Sequence, residues 1–156
     1  MPHVLFVCTA NICRSPVAEG LLRHMFAERG MTAWTTSSAG TWAEDGYSAA
    51  RNSMAVAAER GVDLARHRSR IVTAELMSQS DLVLCMESGH AEALRAEFRE
   101  DAHKVHLLSN LVDQRYSISD PYGQDRAQYE RMAEDVGGIL QRGFARLIAL
   151  SAGQPE

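Results

Sequence analysis

The chain has 156 residues, of which 16 are Lys or Arg and 20 are Asp or Glu, a formal charge of −4. That length predicts one compact domain, and 46% hydrophobic with 23% charged residues is ordinary globular usage, which excludes a disordered tail protein and a small disulfide scaffold. The mild acidity gives no basic footprint for nucleic acid, no apolar run approaches the roughly 18 residues of a membrane span, and the N-terminus lacks a secretory pattern; a cytoplasmic protein with no nucleic-acid or membrane partner is expected.

In chain order, His3 to Val7 is a β-branched and aromatic run that leads straight into Cys8, the pattern of a strand buried on both faces. Ser15 and Pro16 then read as an N-cap and first helical residue, and Val17, Ala18, Leu21, Leu22, Met25 and Phe26 as one helical face ending near Gly30. Ala33 to Ser38 predicts a second strand and Ser53 to Arg60 a helix stopped by Gly61. Asp81 to Met86 predicts a buried strand, followed by a helix through His90, Leu94 and Phe98 and a short strand at Lys104 to Leu108. From Asp125 the apolar spacing through Tyr129, Met132, Val136, Ile139, Leu147 and Ile148 predicts one long helix, with Gly137-Gly138 marking a close contact or a bend. Residues 1–150 form the expected domain and 151–156 a frayed tail. Alternating strands and helices point to an α/β fold of βαβ units.

The segment Cys8-Thr9-Ala10-Asn11-Ile12-Cys13-Arg14-Ser15 joins the first strand to the first helix. A loop ending in a helix N-terminus gathers backbone N–H groups at one spot and favours an anion there, so a phosphate dianion would be held by amides. Cys8 would lie beneath it, its thiolate stabilised by the same field and by the Ser15 hydroxyl, as a nucleophile. Arg14 closes the loop with a planar fork that matches two phosphate oxygens. Thr9, Ala10, Asn11, Ile12, Cys13 and Ser15 are assigned with them to substrate binding. Three cysteines, two of them clustered, suit a reactive site better than a disulfide framework. Displacing a tyrosine oxygen, with a pKa of about 10, needs a proton donor. Asp120, in Ile118-Ser119-Asp120-Pro121-Tyr122-Gly123, is the candidate for that acid and for the base of a second, hydrolytic step; the bland alternative is an Asp-Pro pair that only opens a turn.

With CTANICRSP at the N-terminus, Ser38-Ala39-Gly40-Thr41, His67 in HRSR, Leu84-Cys85-Met86-Glu87-Ser88 and DPY at Asp120 to Tyr122, the chain resembles the low-molecular-weight protein tyrosine phosphatases along nearly its whole length. The resemblance implies a single domain with a four-stranded parallel sheet and helices on both faces, phosphatase I-like. It implies Cys8 as nucleophile, Arg14 as phosphate clamp, Asp120 as general acid and base, and no metal or organic cofactor. It further implies that Asn11 shapes the loop, that Ser38 bonds to Asn11, and that Ser15 stands by the thiolate with His67 as its partner; local structural roles are the alternative for the serines and the histidine. Cys13 would trap oxidised Cys8 as a reversible disulfide or be a small buried thiol, and Cys85 inert core. Trp42 and Tyr122 are candidates for the walls of an aromatic slot. Two departures bear on the loop and rim: Ala10 stands where the family usually has glycine, and Ala43-Glu44-Asp45-Gly46-Tyr47 replaces a Gly-x-Pro segment.

The expected substrate is a phosphotyrosine-containing protein, a tyrosine kinase among the candidates, with inorganic phosphate as product and the enzyme a monomer or weak dimer. The competing readings are a protein arginine phosphatase, a thiol-dependent arsenate reductase and a non-catalytic phosphate-binding module. By resemblance, tyrosine-acting members carry isoleucine at the position of Ile12 and arginine-acting members threonine. Cys85 alone in a buried run makes a poor thiol relay, and the presence of Cys8, Arg14 and Asp120 argues against a mere binding module.

Overall fold

In a computed structural model, residues 1–153 are described. Strands β1 (His3–Cys8), β2 (Thr35–Gly40), β3 (Leu82–Cys85) and β4 (Val105–Leu107) form one sheet in the order β2-β1-β3-β4. Every pairing is parallel, with Phe6 opposite Ser38 on one side and Leu84 on the other. Because β1 alternates its side chains across the sheet, Val4, Phe6 and Cys8 join the core beneath α1 (Arg14–Glu28), α2 (Arg51–Ala58), α5 (Arg126–Arg142) and α6 (Phe144–Ser151). Leu5 and Val7 enter a smaller core with Met77 of α3 (Ala74–Gln79) and Ala91 and Leu94 of α4 (Ser88–Glu97). Helices thus cover both faces, as a parallel sheet requires. Among the described residues no helix is long and apolar enough to cross a membrane.

The chain runs from β1 outward to β2 and then crosses back to β3 on β1's other side. The carboxyl ends of β1 and β3 therefore flank the point where the strand order reverses, the place where open α/β sheets leave a crevice. Residues following Cys8 and residues following Cys85 meet there.

Several elements differ from expectation. Helix α1 begins at Arg14 with Cys13 as its cap, one turn of loop winding directly into the helix; Ser15 is not the N-cap because its hydroxyl is engaged with Cys8 and Asn11. Strand β2 is shifted to Thr35–Gly40. Helix α3, too short to show a period, was not expected; Thr73 caps it by accepting the Leu76 N–H. The C-terminal helix is divided at Gly143, not at Gly137-Gly138, which lie inside α5. A Cβ on Gly143 would lie 2.5 Å from Leu111 Cβ, so the close approach is at Gly143. Ser151 is helical and buried; residues 154–156 of the expected tail lie outside the described residues.

Candidate active site

The 8–14 loop is built around Asn11, fully buried and left-handed at φ 60°, a conformation that asparagine tolerates better than most residues. Its Oδ1 accepts the Arg70 N–H at 3.0 Å, which turns Nδ2 toward Ser15 Oγ at 2.8 Å and Ser38 Oγ at 2.9 Å. The Ser38 hydroxyl in turn donates to Glu19 Oε1 at 2.6 Å. Ser15, already accepting from Asn11, has its hydroxyl proton left for Cys8 Sγ at 2.9 Å. A thiolate accepts such a bond and a thiol does so only weakly.

The loop's carbonyls are turned outward onto the scaffold. Cys8 and Thr9 accept the N–H groups of Thr41 and Trp42 at 2.9 and 3.0 Å, and Ile12 accepts that of Ala50 at 2.8 Å. Cys13 accepts the Ser53 hydroxyl at 3.0 Å, and Asn11 accepts His67 Nε2–H at 2.7 Å. His67 therefore reaches the loop through the Asn11 carbonyl; Ser15, its expected partner, bonds to Cys8 and Asn11 instead. Ala10 is exposed and does not have a positive φ, so its methyl group places no left-handed strain on the loop.

Arg14 is 1% exposed. Its Nη1 donates to Glu87 Oε2 at 2.7 Å and to the Ile118 carbonyl at 2.8 Å, and its Nη2 stands 3.6 Å from Asp120 Oδ2. Nε is buried without a partner among the described residues. Ile118 also donates its N–H to Met86 O at 2.8 Å, which pins the segment carrying Asp120 to the end of β3. Asp120, half-exposed, accepts the Tyr122 N–H on Oδ1 at 3.1 Å in a local turn, with Pro121 buried behind it. The turn that an Asp-Pro pair opens is present, and it sets the carboxylate beside Arg14.

Trp42 and Tyr122 are 83% and 67% exposed, on the segments that follow β2 and Asp120. The three thiols are free and buried. Burial pushes the Cys13 thiol up to about 11, against a Tyr129 hydroxyl 3.6 Å away, and the Cys85 thiol up to about 12. Sequence reasoning missed Glu87, Glu19, Arg70 and His90. Glu87 was within reach: it stands at the carboxyl end of the strand beside β1, where a buried arginine must find its counter-charge. Arg70 reaches Asn11 through its backbone N–H, for which no side-chain pattern exists, and its Nε donates to the Ser38 carbonyl at 3.1 Å.

A family model for "Low molecular weight phosphotyrosine protein phosphatase" matches residues 3–149. The chain is 36% identical over 139 residues to "Low molecular weight protein-tyrosine-phosphatase Etp" of Escherichia coli K12, covering 89% of this chain and 87% of that one. It is 30% identical over 140 residues to a "Protein-arginine-phosphatase" of Bacillus subtilis, covering 89% and 92%. The crystal structure of a low molecular weight protein tyrosine phosphatase from T. tengcongensis superposes with a TM-score of 0.89 at 33% identity, covering 94% of this chain and 99% of that one. With this fold, this loop and these relatives, the chain belongs to the low molecular weight phosphotyrosine protein phosphatase family and is a phosphatase.

Proposed function

We propose that the protein hydrolyses phosphotyrosine in protein substrates through a phosphocysteine on Cys8. The observation that carries this reading is the state of Arg14: a buried guanidinium with Nη1 spent on Glu87 and Ile118 and Nε left without an acceptor among the described residues. A phosphate oxygen is the acceptor that completes it. With the loop's carbonyls held outward, its N–H groups form the face offered to the remaining oxygens.

The chemistry then runs in two displacements. Cys8 Sγ attacks phosphorus, the S–P bond forms, and the ester P–O bond breaks as the Asp120 carboxyl gives its proton to the departing tyrosine oxygen. Asp120, now ionised, takes a proton from water; the oxygen attacks phosphorus, the S–P bond breaks, and inorganic phosphate and the Cys8 thiolate are released. Arg14 and the loop amides carry the charge on the equatorial oxygens throughout. Trp42 and Tyr122 are assigned to the rim, where a substrate ring gains stacking contact.

Ile12 favours phosphotyrosine over phosphoarginine. Half-buried against the main core, it offers an apolar branch to a ring and no hydroxyl to a guanidinium. Turnover of a phosphotyrosine peptide beside a phosphoarginine peptide tests the assignment. Faster phosphotyrosine cleavage, with the preference reduced in Ile12→Thr, is expected; faster phosphoarginine cleavage by the unaltered protein overturns the substrate assignment while keeping the mechanism.

A further inference from the structure

His90 lies one turn into α4 and is buried, yet its ring touches the 8–14 loop. The Glu87 N–H donates to Nδ1 at 3.2 Å, so the ring proton is on Nε2, which donates to Thr9 Oγ1 at 2.8 Å. Nε2 is also 3.6 Å from Glu87 Oε2, the oxygen that holds Arg14 Nη1 at 2.7 Å. Thr9 Oγ1 in turn lies 3.5 Å from Arg14 Nη2. Thr9 from the 8–14 loop and Glu87 and His90 from the start of α4 thus close a ring with the Arg14 guanidinium.

We propose that His90 is a positioning residue for Arg14: as a neutral imidazole it bridges the Glu87 amide and the Thr9 hydroxyl, locking α4 to the loop so that Glu87 is kept for the arginine. The proposal rests on the phosphatase reading, in which Arg14 grips the substrate phosphate. The neutral form matters because a second ring proton on Nδ1 would face the Glu87 N–H, break that bond, and make the imidazolium a competitor for Glu87. Burial lowers the pKa of His90; Glu87 opposes, Arg14 adds to the lowering, and Asp120 opposes.

The test compares His90→Leu, His90→Gln, Thr9→Val and the His90→Leu/Thr9→Val double variant in kcat/KM for an aryl phosphate and in competitive inhibition by inorganic phosphate. Leucine removes both hydrogen bonds, so kcat/KM falls about tenfold and phosphate inhibition weakens by a similar factor. Glutamine retains a donor for Thr9 and stays within about threefold of the unaltered protein. The double variant loses less than the product of the two single losses, because both substitutions break the Nε2–Oγ1 link. If His90→Leu does not fold, the Gln and Thr9→Val variants carry the comparison, with Thr9→Val the poorer. His90→Leu within about twofold of the unaltered protein, glutamine as poor as leucine, or losses that multiply would each overturn the proposal. An unaltered protein without Cys8-dependent turnover would overturn the phosphatase reading and this inference with it.

Discussion

The reactivity of this site is set at single atoms, and the chain of donors that begins at Arg70 and ends at Cys8 Sγ is its clearest instance. Asn11 does three things at once: it adopts the left-handed backbone, accepts from Arg70 and donates to both serines. Asn11→Ala should therefore lower kcat by more than about tenfold, because it removes buried partners each worth about 1–3 kcal/mol when lost and leaves Ser15 unoriented; steady-state kinetics beside a urea titration checks that the activity loss exceeds the loss of folded protein. Asp120→Ala should slow phosphotyrosine turnover by about 10²-fold or more, and far less for an ester whose leaving group needs no proton. Equal slowing for both leaving groups would remove the acid role. The thiols should also separate: iodoacetamide at neutral pH should modify Cys8 in preference to Cys13 and Cys85, whose thiols burial holds near about 11 and about 12. Peptide mapping of the adduct reads this directly.

At the scale of elements, the loop is a clamp between the ends of β1, β2 and β3 and the start of α2. Gly40 closes β2 against it, and a Cβ there would fall 2.3 Å from the Thr9 carbonyl oxygen. Gly40→Ala should consequently displace the loop and depress activity with a stability cost of about 1–3 kcal/mol, as overpacking does; unchanged kinetics would show that the loop is not held from this side. Strands β1 and β3 and helix α1 were legible in the sequence because a strand buried on both faces leaves an unbroken apolar run and a helix leaves apolar residues three and four apart, and Cys8, Arg14 and Asp120 stood out by residue type and spacing. Helix α3 has too few residues to show a period, and the break at Gly143 depends on its nearness to Leu111, a tertiary fact absent from local spacing. The same holds for His67, whose donation to Asn11 O spans 56 residues.

Across the whole molecule, the sheet order gathers chemistry from distant parts of the chain into one crevice, where His90 lies, while His3 sits at the opposite end of β1 beside Thr35 and Ser37; both imidazoles make stability depend on pH. His3 and His90 both have lowered pKa values, each chiefly through burial. Unfolded, each imidazole returns to its ordinary value of about 6.5, so between the folded and unfolded values the unfolded chain binds more protons. Their contribution to stability is complete above about pH 6.5 and is lost as the pH falls through the folded values. The urea midpoint should drop between about pH 7.5 and about pH 5, and drop less in His90→Gln; an identical drop in that variant would contradict the assignment. Covalent catalysis by Cys8 is read by rapid quench of the protein with its substrate followed by mass mapping of the adduct. One phosphoryl group on Cys8, absent from Cys8→Ser and accumulating further in Asp120→Ala when the substrate is an aryl phosphate whose leaving group needs no proton, is the predicted result; turnover with no phosphoryl adduct on Cys8, or turnover that survives in Cys8→Ser, would contradict it.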